Sequence, residues 1–424
     1  MKPRRDNTLV SLNQLSRLNF SMRTYYLFLK ENAGPVFFGW LLTFFSSFGQ
    51  TFFISLFVPF ILDQFHFSKS VFGGYYAVAT IIASFFLLQF GHRVDSRPLR
   101  PLTIQTILLL LASSIMLGLA IHPAMVFIAL VGLRLGGQGF MSHISLSVMS
   151  RYFSADRGKA LSISAMGYPA AEMVFPLVAG LLLSYWNWHV ALIITASFLL
   201  LIFIPIRKLN LEALDVHEEK EEVSGKAKWA YFKQLVTEKP FWVLIPPVFA
   251  YSFVVTGIFF FQYVLANEKG WPLEWYAMCF SGYAVVRLLF LLYGGILTDK
   301  LSASKLFPYY LMPFVLGLLA LAIIPGKIAA LVFLLFTGVS AGTSSIVTSA
   351  VIAELYGTDR VGQVRSLFSM IMVLSTALAP VVIGFLLDQG TTVSQIGFGC
   401  AAALGLVTIN SFRIRLLKRQ QVPV

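Results

Sequence analysis

At 424 residues, with 57% hydrophobic and 12% charged side chains, the chain carries about half the charge of a soluble domain, which excludes a water-soluble globular protein and indicates a polytopic membrane protein. Its net charge of +13 alternates between loops instead of forming one basic face, so it encodes topology and gives no case for a nucleic-acid partner. Only two cysteines occur, Cys279 and Cys400, both in apolar runs, which argues against a disulfide framework and against a thiolate metal cluster.

Residues 1–33 are polar and basic, without the 7–15-residue apolar core of a cleavable signal peptide, and read as a cytoplasmic N-terminal segment. Leu12 to Leu29 mixes apolar, aromatic and basic residues, as either an interfacial amphipathic helix or a basic tail would. Twelve apolar runs long enough to cross a ~30 Å hydrocarbon core follow: 35–62, 70–91, 101–121, 124–150, 159–185, 188–206, 240–266, 272–296, 306–324, 328–353, 365–387 and 393–412. The expected fold is therefore an all-α membrane protein of two pseudo-symmetric six-helix bundles, 34–206 and 240–412. The polar segment 207–239, with the run His217 to Glu222, reads as a solvated cytoplasmic linker, and 413–424 as a cytoplasmic tail. Arginine and lysine gather at both termini, in the linker and in alternate loops, the positive-inside pattern that puts termini and linker in the cytoplasm of a cell (inner) membrane.

The two halves repeat each other, a mark of transporter architecture. Gly49 with Phe52 and Phe53 in the first span answers to Gly257 with Phe259, Phe260 and Phe261 in the seventh. Gly91 and Asp95 after the second span match Gly295 and Asp299 after the eighth, each glycine four residues before its aspartate. Tyr152-Phe153 through Arg157 to Lys159 after the fourth span answers to Tyr356-Gly357 through Arg360 and Arg365 after the tenth.

Gly91-x-x-x-Asp95 with Arg97 and Arg100 resembles the loop motif of the major facilitator superfamily, although Pro98 and Leu99 stand where that motif has its second glycine. Gly39-Trp40, the Arg134-Leu-Gly136-Gly137-Gln138-Gly139 stretch, Tyr152 to Gly167, and Tyr356 through Arg365 to Pro380 are similar to the monocarboxylate-porter branch and its bacterial relatives. The resemblance implies gating by Asp95 and Asp299, which would pair with basic residues such as Arg157 and Arg365 when the cavity faces outward, with Gly91 and Gly295 at the same loops. The lysine that animal members carry in span one is missing here, and Tyr283 stands where they have an aspartate one turn before the span-eight arginine. Their proton-coupling scheme therefore does not carry over.

Three charges lie deep in spans: Arg134, Glu172 and Arg287. Such a charge costs at least ~2.5–3.5 kcal/mol at the bilayer centre, so it persists where it pairs, lines a cavity or binds a ligand. Two cations and one anion leave an excess of +1, which a small organic anion would balance, and an arginine fork matches a carboxylate through two parallel hydrogen bonds. Arg287 is the preferred ligand, with Tyr283 one turn before it. Arg134 and Glu172 either line the same cavity or pair with each other across spans four and five, and Glu172 is the candidate for proton coupling. Helical spacing puts Gln138 on the face of Arg134 and Tyr168 on that of Glu172, and Gln50 and Thr256 sit on the repeated glycine segments as further cavity candidates. His143 reads as a histidine bonded across helices, and the glycines 136, 137 and 139 as close helix packing rather than a phosphate loop, since no Gly-Lys-Ser/Thr follows.

These features describe a secondary transporter, expected as a monomer, that moves a small monocarboxylate-like anion by alternating access, with a proton or a counter-anion as its coupling partner and lipid around it. Rivals on the same fold are an efflux pump for drugs or siderophores and an amino-acid transporter; a sensor or scaffold without transport is a rival from another class. No catalytic constellation, metal-ligand set or cofactor motif appears, so an enzyme is not expected, nor any cofactor.

Overall fold

The computed structural model describes residues 26–153, 156–215 and 225–420. Most of the basic N-terminal segment, the His217–Glu222 run, the last four residues, and the side chains of Asp95 and Asp299 lie outside the described residues.

Twelve apolar segments cross the molecule, in agreement with the twelve expected spans. Ten are single helices long enough to span a bilayer: Lys69–Phe90, Leu99–Gly118, Pro123–Tyr152, Arg157–Tyr185, Trp188–Lys208, Lys239–Phe260, Leu273–Thr298, Ile328–Gly357, Gln363–Asp388 and Val393–Leu417. These are spans 2 to 8 and 10 to 12. Span 1 begins with Ala33–Gly49 and span 9 is Met312–Ile323, both shorter than a full crossing. Span 1 is short because it is broken: Gln50 is extended (φ −86°, ψ 153°), and the chain resumes as Thr51–Ile54 and Val58–Phe65. Span 7 is also interrupted, at Phe261 (φ −101°, ψ 13°) before Gln262–Glu268, without the extended residue that breaks span 1, so the Gly49 and Gly257 repeat lies in two interrupted helices.

Local sequence sets the helix starts at the end of the molecule opposite the linker, here called the far side. Ser68 caps span 2 by accepting from Val71 N (3.2 Å), Asn187 caps span 6 by accepting from Val190 N (3.0 Å), and Thr392 with Gln395 forms a capping box on span 12. Each cap satisfies donors that the first turn of a helix leaves without partners. On the linker side, spans 10 and 11 join through Gly357, whose φ of 75° lies in the left-handed region that favours glycine.

Glycine also sets how closely spans 1 and 4 approach. A Cβ built on Gly137 would lie 2.6 Å from Gly49 Cα, so the two backbones meet where no side chain fits, which is the packing role expected of the 136–139 glycines. The same stretch, Arg134–Met141, is π-helical, a widened turn that recurs at functional positions.

The two described ends of the linker are bonded to the helix bundles. Asp215 accepts from Leu99 N at the start of span 3 (2.8 Å), and Arg100 donates to the Ile206 and Leu209 carbonyls (2.8 and 3.0 Å). At its other end Arg360 donates to Glu238 (2.6 Å) and to the Tyr231 hydroxyl (2.9 Å) from the loop after span 10. These bonds, the one to Glu238 first, raise the pKa of the Arg360 guanidinium above its ordinary value. Leu211, Leu214 and Leu235 are buried in support.

Candidate functional site

The three deep charges do not share one cluster. Arg134 is only 3% exposed and is held within the first bundle. Its Nε donates to Thr80 Oγ1 and its Nη1 to the Gly49 carbonyl, both at 3.0 Å, and its guanidinium sits 4.7 Å from the centre of the Tyr76 ring. The break at Gln50 explains the second bond, because an interrupted helix leaves carbonyls without intrahelical donors. Tyr76 is fixed in turn by Thr51 (2.6 Å between hydroxyls). Of the two alternatives for these charges, Arg134 does not form the pair with Glu172; it donates to Thr80 and the Gly49 carbonyl and holds the span 1 break to spans 2 and 4. Arg134→Met should lose ~1–3 kcal/mol of stability by leaving Thr80 and the Gly49 carbonyl without a donor. Thermal unfolding in detergent would show this as a lowered midpoint, with substrate affinity of the folded fraction unchanged.

Glu172 pairs instead with Arg287. The Arg287 guanidinium donates to the Glu172 carboxylate across the seam between spans 5 and 8, joining the two bundles at mid-depth. The second carboxylate oxygen, Oε2, is buried without a hydrogen-bond partner among the described residues. The Arg287 side chain keeps 28% exposure against 9% for Glu172, so Arg287 is the more exposed side chain of the pair. Tyr283, one turn before Arg287, and Tyr251 of span 7 stand close enough to feel both charges.

The other expected residues divide. Tyr168, one turn from Glu172, is half-buried and near Arg287. Gln138 is half-buried with a buried Oε1 that has no partner. Gln50 is half-buried at the span 1 break, while Thr256 is buried. Tyr251, Tyr76 and Thr80 were not anticipated; lone tyrosines and threonines are ordinary in apolar spans, and only the partner's position reveals them.

The loop residues divide as well. Gly91 is packed, its carbonyl facing His143 Nε2 at 3.2 Å, which agrees with a histidine bonded across helices. The space beside Gly295 is open, so the repeat holds in sequence but not in packing. Arg157 is exposed, and Arg365 donates to the Ser349 carbonyl (3.3 Å).

Contacts between the bundles run from mid-depth to the far side. Ser281 donates to the Met173 carbonyl (2.9 Å), Gln262 to Ser55 (2.7 Å) and Ser184 to Glu274 (2.9 Å). Phe52 stacks on Phe280 (5.9 Å) and Phe260 meets Tyr76 (4.5 Å). These contacts join the two bundles from Arg287 to the far end.

Two helical bundles around a cross-bundle ion pair, joined toward one end, define a multi-pass membrane transporter rather than an enzyme. The sequence pattern of the Major Facilitator Superfamily matches residues 39–281 and 265–422, and the chain belongs to that family. Its fold is similar to a bacterial homologue of the human lysosomal transporter Spinster, in an inward-facing and unoccupied conformation (TM-score 0.70, 14% identity, 93% of this chain and 99% of the other). It is also similar to the nucleoside transporter NupG (TM-score 0.71, 13% identity, 91% and 99%). Among curated protein sequences, none matches the chain.

Proposed function

We propose that this chain moves a small, monocarboxylate-like organic anion across the cell (inner) membrane by alternating access, its linker side and termini cytoplasmic, its bundles 34–206 and 240–412 the moving bodies. The observation that carries the reading is the Arg287–Glu172 pair at mid-depth on the seam, with the arginine as its exposed member. A substrate carboxylate competes with Glu172 for the same guanidinium. A proton on Glu172 removes the competing charge and frees Arg287, so anion and proton enter together and the seam stays neutral. Charges at mid-depth where two repeats meet are where transporters of this architecture place substrate. Without a proton, an incoming anion displaces only another anion, which is exchange.

The same contact favours a second reading. A zwitterion would set its carboxylate on Arg287 and its ammonium on Glu172, so an amino acid is the alternative substrate. An efflux pump for amphipathic cations finds less support, because the exposed member of the pair is the cation.

Uptake into proteoliposomes from a panel of labelled monocarboxylates, amino acids and cationic dyes, with and without a pH gradient, tests the proposal. Saturable monocarboxylate uptake that rises when the substrate side is acidified is expected. Uptake of cationic dyes alone would overturn it.

A further inference from the structure

The far-side ends of spans 2 and 11 carry a cross-bundle contact separate from the substrate site. Asp388, the last residue of span 11, accepts from the backbone N–H groups of Lys69 (2.9 Å) and Ser70 (2.8 Å), the first two residues of span 2. The next two donors are used locally, Val71 N by Ser68 Oγ (3.2 Å) and Phe72 N by the Ser68 carbonyl (3.1 Å). Asp388 thus completes the first turn of a helix in the opposite bundle, where a carboxylate also meets the positive end of the helix dipole. Beside it the Lys69 ammonium reaches Glu268 at the end of span 7 (3.6 Å), a second crossing of the same seam. The backbones are in contact below: a Cβ built on Gly73 would lie 2.3 Å from the Pro380 carbonyl oxygen, and one on Gly384 would lie 2.6 Å from that of Lys69.

We propose that Asp388 is a latch that holds the far side shut and so biases the transporter toward the state in which its site opens to the linker side. The proposal rests on the alternating-access reading above. The latch bonds are made to span 2 main-chain donors, so they must break whenever the bundles part at that end. Losing Asp388 exposes two unsatisfied donors to water, which satisfies them equally well in the opened state, and the bias disappears.

Spin labels on Ile121→Cys and Ile323→Cys, exposed far-side positions in opposite bundles, in a Cys279→Ala, Cys400→Ala background, would report the far-side distance without any substrate. Asp388→Ala should raise the long-distance population on the order of fivefold, which corresponds to about 1 kcal/mol, the scale of a carboxylate at a helix N-terminus. Asp388→Asn, which keeps the size and one acceptor oxygen, should shift it less in the same direction, and Gly73→Ala should shift it by pushing span 2 off Pro380. Distributions that coincide with the parent protein for both Asp388 variants would overturn the latch. Because the readout needs no substrate, failure of the carboxylate uptake assay leaves this test standing, and the reverse also holds.

Discussion

Arg287→Ala should lower monocarboxylate uptake by roughly 30-fold or more, because truncating one partner of a buried, hydrogen-bonded charge pair costs about 2–5 kcal/mol and each ~1.4 kcal/mol is tenfold. Two losses add in this variant. The substrate carboxylate loses the fork that would grip both of its oxygens, and Glu172 loses the Arg287 donor on its Oε1 while its Oε2 has no partner among the described residues. Arg287→Lys keeps the charge but offers a point donor in place of a planar fork, so it should retain measurable transport with a raised KM. Initial rates in proteoliposomes over a range of substrate concentrations separate these outcomes. Saturable uptake unchanged in Arg287→Ala would remove Arg287 from the site.

Arg134 is the control that makes this result specific. It is as deep as Arg287 and carries the same charge, yet it is buried within the first bundle and donates to Thr80 and the Gly49 carbonyl. A generic loss of positive potential would affect both variants alike, whereas a binding role for Arg287 predicts that only its loss changes affinity in folded protein.

Why the sequence distinguishes these two arginines poorly is a matter of helix geometry. Hydropathy runs place twelve spans, and the glycine-to-aspartate spacing relates the two halves, because both signals are local in the chain. The depth of Arg134, Glu172 and Arg287 is equally local, since rise per residue fixes it. Pairing depends on which faces of which spans meet, and no spacing within a span reports that. Spans 4 and 5 are neighbours in sequence, which suggested an Arg134–Glu172 pair; the packed structure turns Arg134 toward spans 1 and 2 and Glu172 toward span 8. The break at Gln50 carried the missing information in part, because a glycine followed by a polar pair inside an apolar run hints at interruption, and an interrupted helix supplies the free carbonyl that a buried arginine needs. Gly295 shows the opposite limit: Gly91 ends its helix, whereas Gly295 lies within the helix Leu273–Leu301 beside open space, so a repeated motif guarantees neither a repeated turn nor a repeated neighbour.

Glu172→Gln should separate binding from coupling. The amide has the size of the acid and, like the protonated acid, no charge, so it leaves Arg287 without an ionic competitor at every pH. Substrate exchange in counterflow should persist, and its dependence on pH should flatten. Accumulation should collapse, because a coupled proton supplies about 1.4 kcal/mol, or tenfold in concentration, for each unit of pH gradient, and a residue that cannot take up a proton supplies none. Proteoliposomes loaded at neutral pH and placed in acidic medium with labelled substrate give the measurement directly: the parent protein concentrates the label and the variant only equilibrates it. Should the substrate be an amino acid, the same variant behaves differently, since the ammonium loses its carboxylate and both exchange and net uptake fall together. Continued accumulation in Glu172→Gln would place the proton elsewhere, and loss of both activities would replace the anion by the zwitterion.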